Sequence, residues 1–118
     1  MKFEHYQTQA VKTAIYSDAD VITYPILGLC SEVGEVAGHY KKILRDHNGI
    51  MTPEQRYFLG DEVGDCLWYI ANICTDLGLG METIARRNLD KLNSRMARGV
   101  IKGGGDIQII QNIITFVE

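Results

Sequence analysis

The sequence predicts an all-α fold, a bundle of four helices. Two observations carry this. Apolar residues recur with a 3.6-residue period through long stretches, and no convincing alternating strand interrupts them. Proline, glycine and capping residues fall where helices of those lengths start and stop.

The first helix is expected from about Phe3 to Tyr16, short and weakly amphipathic, broken by Ser17-Asp18-Ala19-Asp20. The second is expected from about Pro25 to Arg45. Pro25 suits a first turn. The inward positions read as Ile26, Leu29, Cys30, Val33, Val36, Ala37, Tyr40, Ile43 and Leu44, and Gly49 with its polar neighbours ends the run. The third is expected from about Pro53 to Leu77. Thr52 is a good N-cap, Pro53 takes the first helical position, and Gln55 completes a capping box. Its stripe is Leu59, Val63, Cys66, Leu67, Ile70, Ile73, Cys74 and Leu77, and Gly78-Leu79-Gly80 stops it.

The fourth helix is expected from about Met81 to Arg98, with Met81, Ile84, Ala85, Leu89, Leu92 and Met96 inward and Gly99 as C-cap. Gly103-Gly104-Gly105-Asp106 reads as a flexible loop. Residues 1–106 thus form one domain. Residues 107–118 form a short apolar tail, rich in isoleucine, whose periodicity fits helix or strand. So much isoleucine should pack on the bundle or on a neighbouring subunit.

With 118 residues, 46% hydrophobic and 23% charged, the chain suits one domain with a modest core. A net charge of −3 with no basic run argues against a nucleic-acid polymer as partner. No apolar run reaches membrane-spanning length, and Met1-Lys2-Phe3-Glu4-His5 leads into a polar stretch, so neither a membrane span nor a signal peptide is expected. Cys30, Cys66 and Cys74 form no C-x-x-C pair and fall in apolar helical patterns. They read as free thiols in a reducing compartment, which makes the cytoplasm the expected location.

A four-residue phrase occurs twice. Glu32-Val33-Gly34-Glu35 recurs as Glu62-Val63-Gly64-Asp65. Carboxylates three residues apart share a helix face. At roughly 100° per residue, each pair lies to the same side of its helix's apolar stripe. Glu32 and Glu35 run with Gly28, His39 and Lys42; Glu62 and Asp65 run with Phe58, Tyr69, Asn72 and Asp76. Two packed helices with that matched offset aim four carboxylates into one cleft, where like charges repel unless a cation joins them. A single E-x-x-E is an ordinary solvated face; two matched copies, each holding a glycine in the same slot, favour a metal site. A mid-helix glycine costs about 1 kcal/mol against alanine, so Gly34 and Gly64 suggest close approach by a neighbouring helix or ligand. Four hard oxygen donors select Mg²⁺, with Mn²⁺ as substitute, over zinc. The E-x-x-H pairs of di-iron bundles are absent.

Asn88, Lys91, Arg95 and Arg98 fall on one stripe of the fourth helix. Beside a metal site, such a stripe suits a polyphosphate. Lys41, Lys42 and Arg45 complement the second helix's dipole, and Lys42 also shares the carboxylate stripe. Trp68 lies nearly opposite the third helix's stripe, which marks it for a subunit interface. His5, His39 and His47 show no partner spacing and are assigned no chemistry.

At this point the residues resemble the MazG-like all-α nucleoside triphosphate pyrophosphohydrolases. The resemblance rests on an E-x-x-E helix, a gap from 36 to 61, and an E-x-x-D helix. Local text agrees: Leu27-Gly28-Leu29, Asp65-Cys66-Leu67-Trp68-Tyr69, Asn88-Leu89-Asp90-Lys91-Leu92, then Arg95, Arg98-Gly99 and Gly103-Gly104-Gly105-Asp106. It covers about residues 25 to 106, and residues from Ile107 onward carry no motif of the family. The resemblance implies Mg²⁺-dependent cleavage of (deoxy)nucleoside triphosphates to the monophosphate and pyrophosphate. It implies Glu32, Glu35, Glu62 and Asp65 as metal ligands, with Glu35 also acting on the attacking water. It implies Lys91 and Arg95 at the phosphates, with Asn88 nearby, and a homodimer or homotetramer that completes the bundle. An alarmone or phosphoribosyl nucleotide on the same fold, or a non-enzymatic metal-binding helical module, are the competing expectations.

Overall fold

The computed structural model describes residues 1–99, and within them every regular element is helical. The tail at 107–118 and the glycine loop lie outside the described residues. Four α-helices occur: α1 Phe3–Val11, α2 Thr23–His47, α3 Pro53–Asp76 and α4 Met81–Ala97. A 3₁₀ turn, Asp18–Asp20, separates α1 from α2. The all-α expectation holds. The chain divides into two units, Met1–Glu82 and Thr83–Glu118. In the first, α3 packs against both α1 and α2.

α1 stops at Val11, short of the expected Tyr16. The chain leaves helical geometry through three i→i+3 closures, at Lys12, Thr13 and Ala14. Thr13 Oγ1 donates to the Ala10 carbonyl at 2.8 Å and accepts from Trp68 Nε1–H at 2.7 Å. A hydroxyl that takes the carbonyl of the preceding turn competes with helix continuation. Trp68, expected at a subunit interface, therefore has a partner within its own chain. It is half-buried and meets Tyr69 edge-on, with ring centroids 5.0 Å apart. Gln7 ties α1 to the end of α3. Its amide donates to Thr75 Oγ1 and the Leu79 carbonyl, and its Oε1 accepts the Met81 N–H that opens α4.

α2 begins two residues before Pro25, from an unusual backbone. Ile22 has φ 72° and ψ −53°, and the Thr23 N–H closes on the Val21 carbonyl at 2.8 Å. That is a γ-turn of the strained, positive-φ kind, on a β-branched residue. Asp76, at the far end of α3, secures it by accepting from Ile22 N–H at 2.9 Å and Tyr16 O–H at 2.8 Å. The helix ends with Asn48 and Gly49 both left-handed, Gly49 N–H reaching back to the Ile43 carbonyl. α3 opens with the expected capping box: Thr52 Oγ1 accepts from Gln55 N–H, and Gln55 Oε1 accepts from Thr52 N–H.

Contacts between α2 and α3 pair in opposite order: Gly28 lies against Tyr69, and His39 against Phe58 and Glu62. The two helices are antiparallel. Gly28 permits the closest approach, since a Cβ there would collide with the Tyr69 ring. Gly34 and Gly64, expected to mark close approach, have open space where a Cβ would stand. α2 faces α3 with Pro25, Gly28, Leu29, Glu32, Val36, His39 and Ile43, which are buried or half-buried. Its remaining expected core residues, Ile26, Cys30, Val33, Ala37, Tyr40 and Leu44, are exposed. On α3, Val63 and Ile70 are exposed as well, and so is Leu77 at its C-cap. The apolar stripe of each helix is wider than the neighbour it meets.

Candidate metal centre

Glu32, Glu35 and Glu62 come together. Each offers a carboxylate oxygen, and the three atoms lie within 4.8 Å of one another. The antiparallel pairing of α2 and α3 places the middle of one helix against the middle of the other, so the repeated phrases face each other. Glu32 and Glu62 are half-buried and Glu35 is exposed. Glu32 Oε2 and Glu62 Oε2 are shut off from solvent without a hydrogen-bond partner. A bare, buried carboxylate oxygen is costly unless something positive meets it.

The electrostatics agree. Burial, then the charges of Glu35, Asp65 and Glu62, push the Glu32 carboxyl above its ordinary value. Burial and the carboxylates of Glu32, Asp65 and Glu62 likewise push up the Cys66 thiol. These are the marks of negative groups gathered without compensation. A divalent cation fits: the donors are oxygens and two are bare.

Asp65, the fourth expected ligand, is exposed and stands outside the group of three. Its charge still bears on Glu32, Cys66, Tyr69 and Tyr6. Lys42 is exposed and lines a cleft of about 430 Å³ with His39, Ile43, Asp46, His47, Glu54, Gln55 and Phe58. Asn88, Lys91 and Arg95 are exposed on α4, and Arg98 follows it; all four belong to the second unit.

Two neighbours of the centre carried no assignment in the sequence. His39 Nδ1 stands 3.3 Å from Glu62 Oε1. Tyr69, whose phenol is pushed up by burial and then by Tyr24, feels Glu32 and Asp65 as well. Both share the stripes of the carboxylate pairs, and that was the signal available. Tyr69 also joins an aromatic row, 6.4 Å from Tyr24, which stacks on Tyr16 at 5.0 Å. Tyr16, Tyr24 and Trp68 line a second cleft of about 470 Å³.

No helix among the described residues is long and apolar enough to cross a membrane. No solved structure matches the chain. The chain is similar to the Gene 37 protein of Mycobacterium phage L5, 46% identical over 112 residues, covering 90% of this chain and 98% of that protein. Residues 24–99 match the MazG nucleotide pyrophosphohydrolase domain, a span that contains both carboxylate pairs and all of α4. The chain belongs to the MazG nucleotide pyrophosphohydrolase family.

Proposed function

We propose that the chain hydrolyses (deoxy)nucleoside triphosphates to the monophosphate and pyrophosphate, as a cytoplasmic enzyme that controls nucleotide pools. The observation that carries this is the meeting of Glu32, Glu35 and Glu62 within 4.8 Å, on two helices of a MazG-family chain. Glu32, Glu35 and Glu62 would hold Mg²⁺ or Mn²⁺, with Asp65 joining from the rim. When bound, the metal neutralises triphosphate charge and polarises the phosphoryl group under attack.

The residues divide the remaining work by exposure. Glu35 is the exposed member of the group and can reach a water molecule, orient it toward the α-phosphorus and accept its proton. Glu32 is half-buried among like charges and keeps the ligand set in place. The water oxygen forms a bond to the α-phosphorus as the bond to the bridging oxygen breaks, and pyrophosphate leaves. Lys91 and Arg95, with Asn88, Arg98 and Lys42, would contact the phosphates and offset the charge on the leaving group. The exposed apolar rows of α2 and α3 support assembly as a homodimer or homotetramer.

Product analysis tests the reading. Each NTP and dNTP is incubated with the protein, with and without Mg²⁺, and products are separated by ion exchange. Monophosphate plus pyrophosphate is expected, lost with EDTA and reduced at least a hundredfold in Glu35→Ala. Diphosphate plus orthophosphate would overturn the scissile bond. No turnover by folded, Mg²⁺-binding protein would turn the reading to an alarmone, a phosphoribosyl nucleotide or a non-enzymatic module.

A further inference from the structure

We infer that His39 is a positioning residue for the metal centre: its imidazole holds the Glu62 carboxylate so that it meets Glu32 and Glu35. The inference rests on the metal-centre reading above. His39 lies one turn beyond Glu35 on α2 and faces α3. Its Nδ1 is 3.3 Å from Glu62 Oε1. Phe58, one turn before Glu62 on α3, backs the imidazole, with ring centroids 4.7 Å apart at 58°. The ring is therefore fixed by one α3 residue and aimed at another.

Among the described residues, the one carboxylate paired with Nδ1 is that of Glu62. The atom is shut off from solvent and has no hydrogen-bond partner; its contact with Oε1 is a close approach without alignment. A small turn of the carboxylate aligns it, and such contacts commonly tighten when a site is loaded. Glu62 is the most confined of this pair, its side chain 12% exposed against 34% for His39. With Oε1 held by the imidazole, Oε2 remains bare for a cation. His39 is not itself among the ligands, because the three carboxylates converge without it. The donor set stays all-oxygen, and the nitrogen acts one shell out, where partners set ligand orientation.

The test uses Mn²⁺ as probe on the full chain, with affinity measured by calorimetry and ligand nitrogen sought by pulsed EPR. His39→Ala is expected to weaken Mn²⁺ binding by about 10–100-fold, with a helical melt retained by circular dichroism. His39→Asn, whose amide N–H can take the place of Nδ1–H, is expected to recover most of it. Wild-type Mn²⁺ should show no directly coordinated nitrogen. Wild-type affinity in His39→Ala, no recovery in His39→Asn, or a coordinated nitrogen lost in His39→Ala would each overturn the inference. Glu62→Gln separates this from the underlying reading. If it abolishes binding while His39→Ala does not, the metal centre stands and the positioning role falls. If Glu62→Gln binds as wild type, the metal centre falls too.

Discussion

Ile22 is a single residue whose conformation opposes its own side chain. At φ 72° a β-branched residue is strained, and such strain costs on the order of 1–3 kcal/mol. At an ordinary position glycine is less stable than alanine; here the order should reverse. Ile22→Gly is expected to be more stable than Ile22→Ala by about 1 kcal/mol in urea unfolding. The converse order would show that the γ-turn does not persist in solution. Its latch is testable through pH. Burial, and then Asp76, push the Tyr16 phenol from 10.0 up to about 12. A group whose folded value is raised contributes stability that is complete below the unfolded value and lost as pH climbs through the folded one. Tyr16→Phe should therefore be less stable than wild type at pH 8, by about 1 kcal/mol. The gap should close between pH 10 and pH 12. None of this was legible in the sequence, because Ile22 and Asp76 are 54 positions apart. The capping box at Thr52 and Gln55 was legible, because both its partners lie within four residues.

At the scale of helices, period and phase were readable in different degrees. One turn of paired carboxylates on each helix marked which side of α2 and α3 holds the centre, and Glu32, Glu35 and Glu62 do meet there. What a helical wheel could not supply is how far each helix is rotated about its axis. α2 turns its Glu32–His39 row toward α3, and the apolar row one residue along is left outside. For the same reason His39 was missed and the close contact was placed at Gly34 and Gly64 instead of Gly28. Gly28→Ala should drive the Tyr69 ring off α2, with an overpacking cost of about 1–3 kcal/mol. A lowered urea midpoint and a changed tyrosine environment by near-UV circular dichroism are the expected readouts. A midpoint raised by helix propensity alone would mean that the ring is free to leave.

At the scale of the molecule, the described residues bury little apolar side chain: Ala10, Pro25, Ile43, Ala71, Cys74 and Met81. Against this stand Val33, Leu44 and Val63, each half or more exposed. On α2 the exposed row Ile26, Cys30, Val33, Ala37, Tyr40 and Leu44 alternates steps of four and three, the spacing of a seam between helices. Under the proposed assembly a second copy of the chain would cover this row. Val33→Glu with Leu44→Glu is expected to reduce the mass by light scattering to that of one chain, with helicity kept. A wild-type protein that scatters as one chain would exclude the seam as a subunit interface.

That seam also changes what stability means for this protein. If part of each helix's burial arrives only on association, folding and assembly share one equilibrium, governed by mass action. The melting temperature then climbs with protein concentration, and specific activity sags on dilution. If the proposed activity needs the assembled form, dilution would abolish it before any ligand residue had changed.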